Sequence, residues 1–369
     1  VFGLFLAFQS DISAATISDQ QIQILGWGTT AGVVIQALIL IPVVRRVGVV
    51  LKPRFGLEGL GKSFSLAAWT LVYVLISQLG YLVTVNVATS AAVRAAKDGI
   101  TTGVGFTPYT SAYYIMLLPY SIVTISIVTA LLPHLSKLAI AKKVDDVREQ
   151  LVRAIKMVGV VTVPSAIALI FFGPLITEVL YMGISLEDAR FIGYVLSALG
   201  FGLIPFSINL ILIRGFNAFE DTKTQVISIL GINIIAVALS YLFLNTLKSD
   251  QVTIGLGIAF SISYILGLAV TLRLIRKHVG RLQLSSFGAQ HFRLIAAALV
   301  AMLPFAILVH ITGWTSDNVT LILRTLRLAL VTIGSGVLYL LIAHFIGVEE
   351  VVTLKVYATK TLAKLSGKK

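Results

Sequence analysis

Nine apolar stretches of about twenty residues follow one another along the chain, at 22–44, 65–90, 109–133, 157–180, 191–213, 225–246, 252–272, 294–311 and 325–347, joined by short polar segments. A hydrocarbon core of ~30 Å is crossed by about 20 helical residues rising ~1.5 Å each. Runs of that length are too long for buried strands. Lipid offers no partner for exposed backbone N–H and C=O groups, so each stretch is predicted to be a helix. The expected fold class is all-α, a polytopic transmembrane helical bundle of about nine complete spans. Val1 to Phe8 is apolar but too short to span, and no basic segment precedes it. It reads as the end of a cut helix rather than a signal peptide, and the chain as a fragment lacking its N-terminal part.

Composition points the same way. Of 369 residues, 57% are hydrophobic and 12% charged; soluble domains carry roughly 25% charge. There is no Cys, which excludes disulfides and thiolate metal sites. Charge placement then orients the spans. Alternate connections and the tail hold 23 of the 29 Lys and Arg, among them Arg45, Arg46, Lys142, Lys143, Arg148, Arg276, Lys277 and Lys369. The opposite set holds only Arg94, Lys97, Arg190, Lys248, Arg324 and Arg327. By the positive-inside rule the basic set is cytoplasmic, so the chain enters from outside and its C-terminus is inside. The net charge of +13 is then a topology signal and an attraction to anionic membrane lipids. Nucleic acid is not an expected partner, because no aromatic-basic reading motif accompanies the charges.

Within the cytoplasmic segment 135–156, Val144, Val147, Leu151 and Ile155 recur at spacings of three and four among charged residues. This amphipathic pattern suggests a helix lying along the inner membrane surface, the alternative being a solvated linker. The tail 351–369 mixes Leu354, Leu362 and Leu365 with lysines and reads the same way.

No charged residue falls in the middle of a span. Glu178 and Arg214 lie near span ends, where a long side chain can reach the interface. The sequence contains no HExxH, GxSxG or Walker A motif, and the neighbouring carboxylates Asp145-Asp146, Glu187-Asp188 and Glu349-Glu350 read as solvated loop charges. No enzyme, cofactor or metal site is expected. Uncharged polar residues are the candidates that remain. Span two carries Ser77, Gln78, Thr84 and Asn86; span three carries Tyr113, Tyr114, Ser121, Thr124, Ser126 and Thr129. Gln78 and Asn86, eight residues apart, share a helix face. With Tyr113, Tyr114 and Ser121 they form a candidate lining for a substrate cavity; interhelical hydrogen bonding is the alternative. Pro119, Pro164, Pro174, Pro205 and Pro304 punctuate the spans and can kink them.

Three local patterns carry a resemblance to a known family. Span one ends Ile41-Pro42-Val43-Val44-Arg45-Arg46-Val47-Gly48. Span three runs from Leu118-Pro119 to Leu131-Leu132-Pro133-His134-Leu135-Ser136-Lys137. Span five exits through Arg214-Gly215-Phe216-Asn217-Ala218-Phe219-Glu220-Asp221-Thr222-Lys223-Thr224. In this order they resemble the MurJ/MviN family of lipid II flippases, of the MOP superfamily, with Pro119, Pro133, Ser136, Asp221 and Lys223 as motif residues. The resemblance implies two six-helix lobes facing a central cavity, followed by two extra helices that form a groove for a lipid tail. On that template 1–49 is the cut helix, an external loop and the last helix of the first lobe. Residues 50–280 are the second lobe with its cytoplasmic loop 135–156, 281–348 are the appended pair, and 349–369 are a basic cytoplasmic tail.

The implied function is movement of lipid II, the undecaprenyl-pyrophosphate-linked peptidoglycan precursor, across the bacterial inner membrane by alternating access. Its implied partners are lipid II, membrane lipids and cell-wall synthesis proteins. The chain departs from the family where many members carry charges before the proline of span three; Tyr113, Tyr114 and Leu117 stand there instead. Rival expectations are a drug or polysaccharide exporter of the same superfamily and a non-transporting scaffold of cell-wall synthesis.

Overall fold

The computed structural model describes residues 19–46, 60–100, 103–313, 319–348 and 350. The readings of 1–8 and of the 351–369 tail fall outside them. Helices α1 (Asp19–Arg46), α2 (Leu60–Lys97), α3 (Phe106–Pro119), α4 (Ile125–Ile140), α5 (Val144–Leu180), α6 (Leu186–Ala218), α7 (Thr222–Thr246), α8 (Val252–Val279), α9 (Leu284–Ile311) and α10 (Leu321–Phe345) follow in order. Among the described residues eight helices are long and apolar enough to cross a membrane, or nine if α3 and α4 form one bent span.

The chain divides into two units, 1–61 and 62–369. In the first, α1 exposes Trp27, Val33, Ile35 and Ile39 and ends on Arg45 and Arg46, whose charges suit the negative end of a helix.

In the second unit α6 lies at the centre. It packs on α5, α8 and α3, while α7 packs on α8 and α9 on α5 and α10. Close approach between α5 and α6 depends on small residues. A Cβ on Gly193 would lie 2.3 Å from the Pro174 Cα, and one on Gly173 would lie 2.4 Å from the Gly193 carbonyl oxygen. Three hydrophobic clusters result. One joins α4, α5, α6 and α8 through Leu135, Leu151, Ile155, Phe216 and Ile275. A second joins α2, α3, α6 and α8 through Ala88, Ala112, Met116, Leu199 and Leu256. The third seats α9 and α10 on α5 through Val163, Leu175, Ala297, Ala301 and Ala343.

Span three bends just after Pro119, one of the prolines named as able to kink its helix. After Pro119 the backbone passes through a π-helical turn, Tyr120–Thr124, and the segments on either side are bent by 48°. Proline removes an i→i−4 bond, and a π-turn absorbs the displaced register. One expectation is corrected: the 135–156 segment is not a helix on the membrane surface. Helix α4 continues to Ile140, three residues turn the chain with Lys142 at φ 56°, and α5 begins at Val144 and runs unbroken into the span. Val147, Leu151 and Ile155 are fully buried against α4, α6 and α8. The amphipathic face is real, but protein covers it.

Candidate functional site

One face of α2 repeats polar and small residues at helical spacing: Tyr73, Ser77, Gly80, Tyr81 and Thr84. With Tyr109, Thr110, Tyr113 and Tyr114 of α3, Asn233 and Ser240 of α7, and Phe260, Ser263 and Tyr264 of α8, they line a cavity of about 300 Å³. Close approach of α2 to α7 shapes it: a Cβ on Gly80 would fall 1.8 Å from the Asn233 Oδ1.

The wall is aromatic. Tyr109 and Tyr113 stack with centroids 6.3 Å apart, Tyr113 meets Phe260 edge-on at 5.8 Å, and Phe260 meets Tyr264 at 4.7 Å. Between the rings sit hydroxyls whose hydrogens are already used. Ser77 donates to the Tyr73 carbonyl at 2.9 Å, Thr84 to Gly80 at 3.1 Å, Ser240 to Ala236 at 2.7 Å and Ser263 to Phe260 at 2.7 Å. Asn233 donates through Nδ2 to Ile229 at 2.9 Å. Each donates back along its own helix and leaves oxygen lone pairs as acceptors. No lining residue is formally charged. The nearby charge is Arg214 of α6, half-buried and within electrostatic reach of Tyr73 and Tyr120. Apolar ring faces combined with acceptors suit a ligand that presents C–H faces and hydroxyl or amide donors, as a sugar does. Among the described residues no three His, Asp or Glu side chains converge as metal ligands would.

Of the residues singled out from sequence, Tyr113 and Tyr114 line this cavity, Tyr114 at its open rim with 66% exposure. Gln78 and Asn86 do not. Gln78 is exposed on another face of α2. Asn86 lines a separate groove with Thr89, Ser90, Arg94 and Asn245. There Arg94 donates to the Leu244 and Leu247 carbonyls and ties α2 to the C-terminal end of α7. Ser121 is exposed within the π-turn. The cavity's α7 and α8 walls, Asn233, Ser240, Ser263 and Tyr264, were missed. Their signal was the recurrence of polar residues inside otherwise apolar spans six and seven.

The motif residues have local roles. Pro119 leads into the bend, and Pro133 and Ser136 lie on α4 beyond it. Asp221 caps α7, accepting from the Thr224 backbone N–H at 3.0 Å, and its other oxygen pairs with His278 Nε2 at 2.7 Å. Burial works against ionisation of Asp221, but the bonds from Thr224 and His278 outweigh it and hold the carboxyl below its usual range. The Lys223 ammonium stands 5.7 Å from the Trp69 ring centre. Glu178 does not reach an interface as expected. Its side chain is fully buried and accepts from the Arg190 Nε at 2.7 Å, with the Arg324 Nε at 4.0 Å.

These features define a multi-pass helical membrane protein with a polar, aromatic cavity inside its bundle. The sequence model described as "Lipid II flippase MurJ" matches residues 2–346, and the chain belongs to that family. It is 25% identical over 252 residues to a lipid II flippase MurJ of Burkholderia cenocepacia, covering 66% of this chain and 46% of that one. It is 26% identical over 248 residues to a probable lipid II flippase MurJ of Haemophilus influenzae, covering 63% and 47%. The chain spans about half the length of the curated relatives it matches. A solved structure of lipid II flippase MurJ in an inward closed conformation superposes with a TM-score of 0.56 at 20% identity, over 80% of this chain and 56% of that one. This is a likeness of fold.

Proposed function

We propose that this chain forms the second lobe and the two appended helices of a flippase that carries lipid II from the cytoplasmic to the outer leaflet of a bacterial inner membrane. The family match over residues 2–346 carries the reading. In this proposal the basic loops and the C-terminus are cytoplasmic. Helices α2 to α8 make the lobe, and α9 and α10 make the appended pair.

The chemistry is consistent with that task. A sugar-pyrophosphate headgroup cannot enter hydrocarbon without a large desolvation cost. A polar pocket within the bundle offsets that cost while the polyprenyl tail stays in lipid. The aromatic and acceptor lining around Tyr113 and Asn233 suits the sugar part of such a headgroup. Gln78, Asn86 and Ser121, exposed on other faces, stand as candidates for headgroup contact outside this cavity. The bent α3–α4 pair is the kind of broken helix through which transporters alternate between two openings. A transporter rather than a catalyst also fits the uncharged lining. A cation-coupled exporter would want a buried carboxylate open to a cation. The buried carboxylate among the described residues, Glu178, is held by Arg190.

The test is rescue. Cells depleted of their resident lipid II flippase and supplied with the full-length protein should grow and keep their shape. Lysis equal to that of the empty-vector control would overturn the proposal.

A further inference from the structure

A second cavity, about 240 Å³, lies where α5, α9 and the end of α10 meet. It faces the end of the bundle that carries the basic connections. Lys156 of α5, Ser286, Gln290 and Arg293 of α9, and Gly347, Val348 and Glu350 beyond α10 line it. Its construction follows from local rules. Gly347 ends α10 at φ +74°, with the Val348 N–H bonded to the Ala343 carbonyl at 3.1 Å. That left-handed cap turns the chain sharply and brings Val348 and Glu350 to the wall. On the other side α9 lies tight against α5, since a Cβ on Gly159 would fall 2.7 Å from the His291 Nε2.

The polar groups here are not consumed by the fold. Gln290 is 8% exposed; its amide nitrogen donates to the Lys156 carbonyl at 3.3 Å, and its amide oxygen has no partner among the described residues. A buried acceptor without a donor is costly, and one at a cavity wall asks for a ligand donor. Two cations, Lys156 and Arg293, face one carboxylate, Glu350, in a space large enough for a small headgroup. Cations favour a phosphate, and the Gln290 oxygen favours a hydroxyl. A glycerol phosphate supplies both.

The geometry points to this cavity as a binding site for the headgroup of an anionic glycerophospholipid, with phosphatidylglycerol as its simplest occupant. The phosphate lies against Lys156 and Arg293, and the glycerol hydroxyls donate to Gln290 and Glu350. Basic pockets between membrane helices recognise anionic headgroups by the same physics. The site is distinct from the tyrosine-lined cavity, and lipid retention there is independent of what the protein transports.

The full-length protein in nanodiscs of phosphatidylglycerol or phosphatidylethanolamine, extracted and examined by native mass spectrometry, provides the test. The wild type should retain phosphatidylglycerol and not phosphatidylethanolamine. Lys156→Gln with Arg293→Gln should cut retention by roughly fivefold for each basic residue removed. Ala289→Trp, which fills the cavity from its exposed rim, should do the same with both charges in place. Lys142→Gln with Lys143→Gln, at the turn that precedes α5 and outside the cavity lining, should leave retention unchanged. Equal loss in that control would mean diffuse surface attraction and overturn the inference. So would unchanged retention in the cavity variants, or displacement of the lipid by millimolar inorganic phosphate.

Discussion

Tyr339 of α10 donates its hydroxyl to the Val160 carbonyl of α5 at 2.8 Å, deep in the interface between the two helices. In a regular α-helix that carbonyl would accept the N–H four residues on. Residue 164 is proline and has none. Helix α10 thus satisfies the acceptor that Pro164 leaves open in α5. Tyr339→Phe should destabilise the folded protein by about 1–3 kcal/mol, the cost of an unsatisfied buried acceptor. In a Pro164→Ala background, which restores the N–H, the same change should cost much less. A double-mutant cycle of thermal unfolding in detergent reads the coupling; additive effects would show that the two residues act separately.

Glu178 and Arg190 fasten α5 to α6 at the opposite end of the bundle. Breaking a buried pair from one side leaves an uncompensated charge, typically at 3–5 kcal/mol. Glu178→Ala should therefore lower the unfolding temperature sharply. Glu178→Leu with Arg190→Met should recover part of the loss, since Arg324 also faces the Glu178 carboxylate.

Gly80 and Asn233 set the width of the tyrosine-lined cavity. Gly80→Ala should destabilise by about 1–3 kcal/mol through overpacking, because Asn233 is anchored to the Ile229 carbonyl. With Asn233→Ala the sign should reverse, since alanine is worth up to about 1 kcal/mol over glycine in a helix once the clash is gone. Calorimetry of the four proteins decides it.

Asp221 predicts an acid limb. Its carboxyl is held below the usual range in the folded state, so its contribution is fully present above the unfolded value of about 3.9. It is lost as pH falls through the lower folded value. Asp221→Asn keeps a capping side chain but has no carboxylate to titrate, so it should be less stable than the wild type at neutral pH and show a flatter fall in stability in acid, where the two should converge. An identical acid limb in the variant would remove Asp221 from the explanation.

The chain has no Cys, so single cysteines report access cleanly. Ser77→Cys and Thr84→Cys should react with a water-soluble thiol reagent, while Val74→Cys, outside the cavity lining, should not. Equal reactivity at all three would argue against a hydrated cavity on that face.

Much of the bundle was legible because lipid leaves an apolar run no choice but a helix. The ends were less so: α5 begins thirteen residues before the span assigned to it, at Val144 instead of 157, because a helix persists wherever protein covers its face. Periodicity in Val147, Leu151 and Ile155 reported a buried face but not what buries it. The cavity was half-legible for a similar reason. Span two carried a polar face, yet Ser77 and Thr84 line the cavity while Gln78 and Asn86 do not. One residue is a rotation of about 100°, and the contact of Gly80 with Asn233 sets that rotation from another helix. Glu178 gave no sign of its burial, since its partner Arg190 lies across a turn on α6.

The function proposed for this protein is movement of lipid II from one leaflet to the other. Its most direct test is the fraction of lipid II in intact cells that an externally added, membrane-impermeant hydrolase can cleave, with the full-length protein as the sole flippase. Cleavage should match that of cells with their native flippase and fall when Gly80→Leu fills the cavity. Lipid II that stays protected although the wild-type protein is folded and in the membrane would contradict it.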